Sequence, residues 1–400
     1  MHYDKKGNVT GVVEKKIGPK QKLQRKAPTR RGKGATAPAD GCARRSTGAA
    51  EPREVLVSNP PRALLPRLQS QGYQVVERLI LQNLGVEYLR LRAPRGTTAD
   101  EAISTIQRQF PGVLVDKNTL FKISAGQSVR GVYANDITDW GLAPEKCGRG
   151  LTIGMIDTAF NKRNLIFRNR NIIFRSFTKK GRKVGYANHG ATVAALLVGK
   201  PQNGVPGGLL PGATLFAASI FENRGGKLRG NLSSMLKALD WLVKERVPVV
   251  NLSMAGSNNK VLKQIIGKAL AKGMILVAAA GNNGPRAKPA FPAANPKVIA
   301  VTAIDKNLAA YRHANRGGYI DFAAPGVGLQ VTTTTRGKLK SGTSFAAPYI
   351  TSMIAMQIAK GVPAKPNALR ASLRKLTKDL GSPGRDETYG WGLVRYKPKC

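Results

Sequence analysis

The chain of 400 residues carries 65 Lys and Arg against 22 Asp and Glu, which gives a formal net charge of +43. Hydrophobic residues make up 42% of it, enough to bury a large core and to form more than one domain. No run of eighteen apolar residues occurs, so we predict no membrane span. The first forty residues contain no apolar segment long enough for a conventional signal peptide.

The positive charge belongs to the whole chain. Residues 1–53 carry a net charge of +10, and the remainder still carries +33. Such a field attracts polyanions and weakens steeply with added salt. The sequence has no zinc-ligand spacing, aromatic RNA-binding signature or phosphate-cradling glycine loop. We therefore expect non-specific electrostatic binding of polyanions, and a dedicated nucleic-acid function remains the alternative.

Three segments follow one another along the chain. Residues 1–52 are rich in Lys, Arg, Gly, Pro and Ala, which predicts a disordered tail or linker. Residues 53–130 read as β-α-β-β-α-β, typical of a small ferredoxin-like α+β domain. Its predicted elements are strand 54–58, helix 61–72, strands 75–81 and 86–91, helix 98–110 capped by Thr98, and strand 113–118 with a continuation through 120–123. Residues 135–400 alternate buried strands with helices, which predicts a doubly wound, mostly parallel α/β sheet.

Two candidate catalytic side chains lie at the ends of apolar segments. Residues 151–157 read as a buried strand that ends in Asp157, at the edge where α/β sheets bind ligands. Alone, Asp157 could equally be a turn or cap residue. Of the three histidines, His2 lies in the polar tail and His313 in a loop-like stretch. His189 directly precedes a small, apolar helix, where the alternative is a core or cap histidine.

The third candidate is Ser344 in the sequence Gly-Thr-Ser-Phe-Ala-Ala-Pro, before an apolar run with helical spacing. At a helix N-terminus, unpaired N–H groups and the positive end of the dipole favour a developing negative charge. Alone, this serine could be an ordinary N-cap residue. A serine nucleophile needs a base, and that base needs a carboxylate to orient it. Asp, His and Ser in this order form one of the known orders of the catalytic triad.

These segments resemble the three catalytic signatures of the subtilisin-like serine proteases, the subtilase family. A fourth match, Val-Ala-Ala-Ala-Gly-Asn-Asn-Gly at 277–284, implies that Asn282 donates to the oxyanion. The resemblance covers roughly residues 135–395. It implies a subtilisin-like fold and a serine endopeptidase in which Asp157 orients His189, His189 activates Ser344, and an acyl-enzyme forms.

The resemblance also implies a set of substrate-binding residues. A peptide between two strand edges gains main-chain hydrogen bonds without needing a particular sequence. The small residues at 279–281 leave room for a neutral or large apolar side chain before the cut, with Asn283 at the rim. Gly225 and Gly226 resemble the end of the facing strand, although an ordinary turn is the alternative. The complete set is Gly225, Gly226, Ser253, Met254, Ala255, Gly256, Ala279, Ala280, Gly281 and Asn283.

Three positions depart from the family pattern. Ala159, Ala191 and Ala255 stand where subtilases usually have Gly, Thr and Gly. None of these changes removes a proton-transferring group, but Ala255 could crowd the edge where a peptide docks. They are the best support for the rival interpretation, a non-catalytic basic binding protein on a subtilase scaffold.

The position of residues 53–130 before the protease body resembles that of a subtilase propeptide. Such a domain would assist folding and then occupy the active site through its tail, residues 124–130. We therefore predict a self-processing zymogen that cuts between about Gln127 and Asn135. A separate binding domain unrelated to processing is the alternative.

The sequence predicts cofactors, partners and location less directly than it predicts the fold and the catalytic residues. Subtilases often bind calcium, but the loop 200–208 carries no carboxylate, so we predict no calcium there and no other cofactor. Protein or peptide substrates and a monomeric enzyme are expected, and the family suggests an extracytoplasmic location. Three thiols cannot all pair internally, and no spacing favours a pair among Cys42, Cys147 and Cys400.

Overall fold

The computed structural model describes His2–Tyr3, Val9–Gly11 and residues 50–123, 133–178, 181–202, 204–331 and 339–400. The chain divides into two compact units, Met1–Arg45 and Ser46–Cys400. In the first unit, strands β1 (His2–Tyr3) and β2 (Val9–Gly11) form an antiparallel ladder where the sequence predicted no regular structure. In the second unit, β3 begins at Ala50, inside the predicted tail.

Residues 50–123, called here the N-terminal region, have the predicted β-α-β-β-α-β order. Its elements are β3 (Ala50–Ser58), α1 (Leu64–Ser70), β4 (Gln74–Leu81), β5 (Val86–Arg92), α2 (Ala99–Gln109) and β6 (Val115–Ile123). Thr98 caps α2 in a capping box with Glu101, as expected from its position before two acidic residues. Side chains alternate between the faces of the sheet, so Val55 and Val57 pack against α1 and α2.

Residues 133–400, called here the body, hold a nine-stranded sheet. The body comprises α3 (Ala134–Ile137), β7 (Thr152–Asp157), the 3-10 helix Leu165–Phe167, β8 (Ile172–Ser176), α4 (Asn188–Val198), β9 (Thr214–Ser219), β10 (Phe221–Arg224), β11 (Lys227–Asn231), α5 (Leu232–Lys244), β12 (Val249–Leu252), β13 (Met254–Ala255), α6 (Lys260–Ala271), β14 (Ile275–Ala279), β15 (Ile299–Ile304), β16 (Phe322–Pro325), α7 (Thr343–Ala359), α8 (Pro366–Arg374), β17 (Thr377–Lys378) and β18 (Leu393–Val394).

The strand order of this sheet is β17-β18-β16-β15-β14-β12-β7-β9-β8, and only the β17–β18 pair is antiparallel. The predicted mostly parallel α/β fold is therefore confirmed. After β7 the chain forms the edge strand β8, returns to form β9 between β8 and β7, and then crosses to β12 on the other side of β7. Side chains at the carboxyl ends of β7 and β12 thus meet at a topological switch point, where such sheets bind ligands.

The two faces of the sheet bury separate cores. One core contains side chains of α4 and α7, the other those of α5 and α6. The second core also includes Leu56, Leu79 and Tyr88 from the N-terminal region, so this region buries one sheet face against the body. Among the described residues, no helix has the length and apolar character needed to cross a membrane.

A second sheet joins the N-terminal region to the body through β6. This strand runs antiparallel to β11, with Phe121 opposite Gly230, and antiparallel to β13, with Lys122 opposite Ala255 and Ile123 opposite Met254. The end of β6 therefore lies between two strands of the body. A Cβ atom added at Gly256 would approach the Phe121 ring to 2.8 Å, so the absence of a side chain there makes room for the phenyl group.

A buried ion cluster ties three strands of the N-terminal region together. Glu54 accepts hydrogen bonds from Arg90 at 2.8 Å, Arg92 at 2.8 Å and Asn118 at 3.0 Å. Glu54 and Arg90 are each only 4% exposed. Burial raises the pKa of the Glu54 carboxyl, but Arg90, Arg92 and Asn118 together outweigh it and lower that pKa below its usual value. Arg90 also reaches Ser233 at the start of α5, so the cluster borders the body.

A disulfide joins Cys147 to Cys400, with Cα atoms 4.7 Å apart across 253 positions of sequence. The sequence alone did not favour this pair, because the partners are remote along the chain. Cys147 is fully buried close to the start of β7, and the bond ties the C-terminal end of the chain to that point. Cys42 lies outside the described residues.

Candidate active site

Asp157 is the last residue of β7 and is fully buried at the switch point. Its Oδ1 accepts a hydrogen bond from the backbone N–H of Thr158 at 2.6 Å. The Nδ1 atom of His189 lies 2.8 Å from Oδ1 and 3.1 Å from Oδ2. The structure therefore brings together the first two candidates, although 32 positions separate them.

His189 lies in the first turn of α4, which begins at Asn188, two residues earlier than the sequence predicted. An ionised carboxylate only accepts hydrogen bonds, so Nδ1 donates to Asp157 and the neutral ring keeps a lone pair on Nε2. That Nε2 atom is buried and has no hydrogen-bond partner among the described residues. The ring packs against Phe345, with centroids 5.3 Å apart. His189 is thus oriented as a base whose accepting atom is available.

Ser344 is the second residue of α7, next to the residue that contacts the His189 ring. The N-cap is Gly342, whose φ of 147° disfavours other residues, so Ser344 does not serve as the N-cap. Its hydroxyl donates to the carbonyl of Ser253 at 3.2 Å. As the second residue of α7, Ser344 lies at the positive end of the helix dipole, which favours a developing negative charge.

Asn282 lies close to the same helix start. Its Oδ1 accepts hydrogen bonds from the N–H of Thr343 at 3.0 Å and from the hydroxyl of Thr343 at 2.8 Å. The Nδ2 atom is buried without a hydrogen-bond partner in the described part of the chain. Two bonds on the oxygen fix the amide, so its N–H group remains available as a donor.

A polar network behind Ser344 was not predicted from the sequence. Ser253 Oγ donates to the carbonyl of Ser344 at 2.7 Å, and Asn251 Nδ2 donates to Ser253 Oγ at 2.7 Å. Thr351, two turns further along α7, donates to Asn251 Oδ1 at 3.1 Å. All four residues are fully buried. The available signal was Asn251 in the middle of an apolar strand, because a buried amide needs partners.

The predicted substrate residues occupy two kinds of position. Met254 and Ala255 form β13 and pair with β6, so the side chain of Ala255 does not prevent an extended segment from docking. Gly225 and Gly226 lie in the hairpin turn between β10 and β11, with positive φ values of 56° and 77°. The facing strand edge is supplied by Gly230 and Asn231 instead. The available signal was Gly230 itself, because a glycine within a strand often marks the close approach of another segment.

The small residues 279–281 lie at the end of β14 and directly after it, and they are buried. Behind them, the hydroxyl of Tyr319 donates to the carbonyl of Ala280 at 2.8 Å. Burial raises the pKa of Tyr319 to about 12, although hydrogen bonds to Ala290 and Asn315 oppose it, so the hydroxyl stays protonated near neutral pH. Asn283 is exposed, and its N–H donates to Asn315 at 2.9 Å. Tyr319 therefore borders the segment 279–281 of the proposed substrate pocket, a position that was not predicted from the sequence.

The two remaining departures from the family pattern are buried alanines. Ala159 is fully buried and Ala191 is 8% exposed. Neither contributes a side-chain hydrogen bond, whereas Thr158 accepts one from the N–H of Gly190 at 2.9 Å and so ties β7 to α4. The Asp157–His189 geometry therefore coexists with both alanines.

No group of three or more His, Cys, Asp or Glu side chains able to hold a metal ion occurs within the described ranges. The loop 200–208, of which residue 203 lies outside those ranges, remains a predicted calcium-free segment.

Comparisons with known proteins agree with this geometry. A sequence model described as the subtilase family matches residues 148–392. The chain is 29% identical to the minor extracellular protease Epr of Bacillus subtilis over 78% of the chain and 50% of Epr. It is 30% identical to the thermostable alkaline protease of Halalkalibacterium halodurans over 52% of the chain and 56% of that protein. The chain thus spans little more than half the length of these curated relatives.

A solved structure shows the same fold. Fervidolysin from Fervidobacterium pennivorans, described as a keratinolytic enzyme related to subtilisin, superposes with a TM-score of 0.72 at 20% identity. The superposition covers 88% of this chain and 61% of fervidolysin. The family match spans most of the body, including Asp157, His189 and Ser344, and on that basis the chain belongs to the subtilase family.

Proposed function

We propose that this protein is a serine endopeptidase that hydrolyses peptide bonds through an acyl-enzyme. The observation that carries the proposal is the buried Asp157–His189 pair, whose Nε2 has no partner among the described residues, next to a serine at a helix start. An inert scaffold has no need to bury an acceptor nitrogen without a partner, because doing so costs stability. Catalysis needs such an atom to accept a proton.

Each group then has one role in the reaction. His189 Nε2 takes the Ser344 proton while Oγ attacks the substrate carbonyl carbon, and Asp157 stabilises the imidazolium. Asn282 Nδ2 and the backbone N–H of Ser344 hold the oxyanion. The C–N bond breaks as His189 returns the proton to the leaving amine. Water, deprotonated by His189, then attacks the acyl carbon and releases the acid and Ser344.

The substrates we propose are extended protein segments. Strand β13 offers a free backbone edge once β6 leaves, and the edge of β11 lies opposite. Residues 279–281 are small, which suits a neutral or large apolar side chain before the cut. The disulfide and the similarity to a protease named as extracellular support an extracytoplasmic location.

Replacing Asn282 by Leu is expected to lower kcat about 10²–10³-fold, the loss seen when the corresponding donor is removed from subtilisin, with little change in KM. The amide acts only once the oxyanion develops, so substrate binding needs it little. Steady-state kinetics on a peptide amide measure the effect. Asn307→Leu, at an exposed asparagine outside the site, is the matched control; an equal loss in both variants would rule out this role.

We also propose that the N-terminal region is a propeptide removed by the enzyme itself. The predicted tail 124–130 and most of the predicted cutting range from Gln127 to Asn135 lie outside the described residues. The described register supports a position near the end of β6. Ile123 pairs with Met254, which precedes Ala255 and follows Ser253, the residue whose carbonyl contacts Ser344. Since one residue advances only about 3.3 Å along a strand, we expect the cut soon after Ile123.

Intact mass of the wild-type protein and of Ser344→Ala tests the cut. The wild-type should shed its N-terminal region, and Ser344→Ala, which loses one hydroxyl, should stay whole. A fluorophosphonate probe tests the activity separately: it should label Ser344 in the processed protein. Absence of labelling in folded, processed protein would favour the rival, a non-catalytic binder. Equal cleavage in both variants would assign the processing to another protease.

A further inference from the structure

A second pocket lies away from the triad, between α8 and the segments 294–298 and 318–321. Its volume is about 600 Å³, within the range of small-molecule sites. Its lining combines apolar side chains with three guanidinium groups, those of Arg370, Arg374 and Arg385, and with the ring of Trp391. Tyr319 separates it from the small residues of the proposed substrate pocket.

One carboxylate, that of Asp321, faces these three cations. Asp321 Oδ1 accepts from Arg370 at 2.9 Å and lies 3.5 Å from Arg385. Asp321 Oδ2 accepts from Arg370 at 3.0 Å and from the N–H of Ala300 at 2.9 Å. Both oxygens are therefore engaged without Arg374. Arg370 and Asp321 form a bidentate pair with their side chains 18% and 4% exposed, typical of a structural ion pair.

Arg374 has a different environment. It is exposed at the end of α8, and its guanidinium carbon lies 3.7 Å from the centroid of the Trp391 ring. No salt bridge joins it to any carboxylate in the described ranges. Stacking on an indole holds a guanidinium in place and leaves its N–H edges free to donate. The pocket thus contains a positioned cation without an anion, and its net charge is positive.

We propose that this pocket binds a small organic anion, a carboxylate or phosphate group carried on an apolar body. The planar guanidinium of Arg374 matches two oxygens of such a group, and the apolar lining would cover the body. The site is independent of the triad, so the inference does not depend on the proposed peptidase activity.

Calorimetry on full-length Ser344→Ala protein in about 0.15 M NaCl tests the proposal, with 2-naphthoate as the probe and the neutral 2-naphthamide as its match. Naphthoate should bind with a Kd near or below about 1 mM, and naphthamide at least about tenfold more weakly. Arg374→Gln should weaken naphthoate binding about tenfold. The affinity of Arg374→Lys for naphthoate should lie between that of the protein with Arg374 and that of Arg374→Gln, since lysine keeps the charge and loses the planar guanidinium.

Lys375→Gln is the matched control, because Lys375 is the exposed next residue and does not line the pocket. It should leave the affinity for naphthoate unchanged. Equal affinities for the acid and the amide would overturn the proposal. So would an unchanged affinity in Arg374→Gln, an equal loss in Lys375→Gln, or the absence of binding up to about 5 mM naphthoate. Since Arg374 is exposed, its variants should fold, and a thermal melt verifies this.

Discussion

Replacing His189 by Ala in the processed enzyme is expected to lower kcat for peptide hydrolysis by about 10⁶-fold, the loss that removal of the triad histidine causes in subtilisin. The buried Nε2 is the acceptor that the Ser344 proton needs, and its Nδ1–H is already bonded to Asp157. Without the ring, the serine keeps its proton and attacks poorly. Single-turnover kinetics on an activated ester and a peptide amide measure the loss.

The double variant His189→Ala with Ser344→Ala should be no slower than either single variant, because the two groups act as one unit. Each protein needs its N-terminal region removed by an added protease, since self-cleavage would fail. His313→Ala, which changes an exposed histidine, should retain full activity. Losses that add in the double variant would mean that His189 and Ser344 act separately, and the proposed mechanism would then fail.

Replacing Glu54 by Gln should destabilise the N-terminal region by about 1.5–3 kcal/mol near pH 6, because buried Arg90 loses its closer counter-charge and keeps only Glu77, at 3.3 Å. In a Ser344→Ala background, hydrogen exchange of amides in β3 and β5 should speed up about 10–10²-fold. The matched control is Glu87→Gln, which breaks the more exposed Arg78–Glu87 pair and should change stability by less than about 1 kcal/mol. Equal exchange in both variants would contradict the argument.

The loss of stability caused by Glu54→Gln should depend on pH. The folded-state pKa of Glu54 lies below its usual value of 4.5, so ionised Glu54 contributes its full stability above about pH 4.5. That contribution disappears as the pH falls through the lowered folded-state pKa. The difference between the Ser344→Ala chain and its Glu54→Gln derivative should therefore shrink on acidification below pH 4.5. A difference that stays constant from pH 6 to strongly acidic solution would exclude titration of Glu54 as the cause.

Much of the fold could be predicted because local patterns and tertiary structure agree. The capping box at Thr98 and the buried strand ending in Asp157 each show in a few adjacent residues. The order Asp, His, Ser then suggested a shared site, and the structure places Asp157 within hydrogen-bond distance of His189. The helix start at Ser344 was also predicted, but its cap is Gly342, since only glycine readily adopts the required φ.

Contacts between remote segments could not be predicted. The Asn251–Ser253 network depends on which side chains of α7 face β12, and the Cys147–Cys400 bond depends on the path of the whole body. Gly225 and Gly226 resembled the end of the facing strand, with an ordinary turn as the alternative, and the hairpin register places them in the turn. The register between strands is set by packing and turn geometry, so it could not be predicted from a single sequence.

The disulfide affects what would happen to this protein if its own chain were cleaved. A protease in solution is also a substrate, and exposed loops are where chains are nicked. Cys147 and Cys400 bracket nearly the entire body, so a single nick between them opens the loop that the disulfide closes but leaves the two fragments covalently joined. The two fragments then stay in one molecule, because the disulfide still joins them. Damage of this kind would stay invisible on a non-reducing gel and appear only after the bond is reduced.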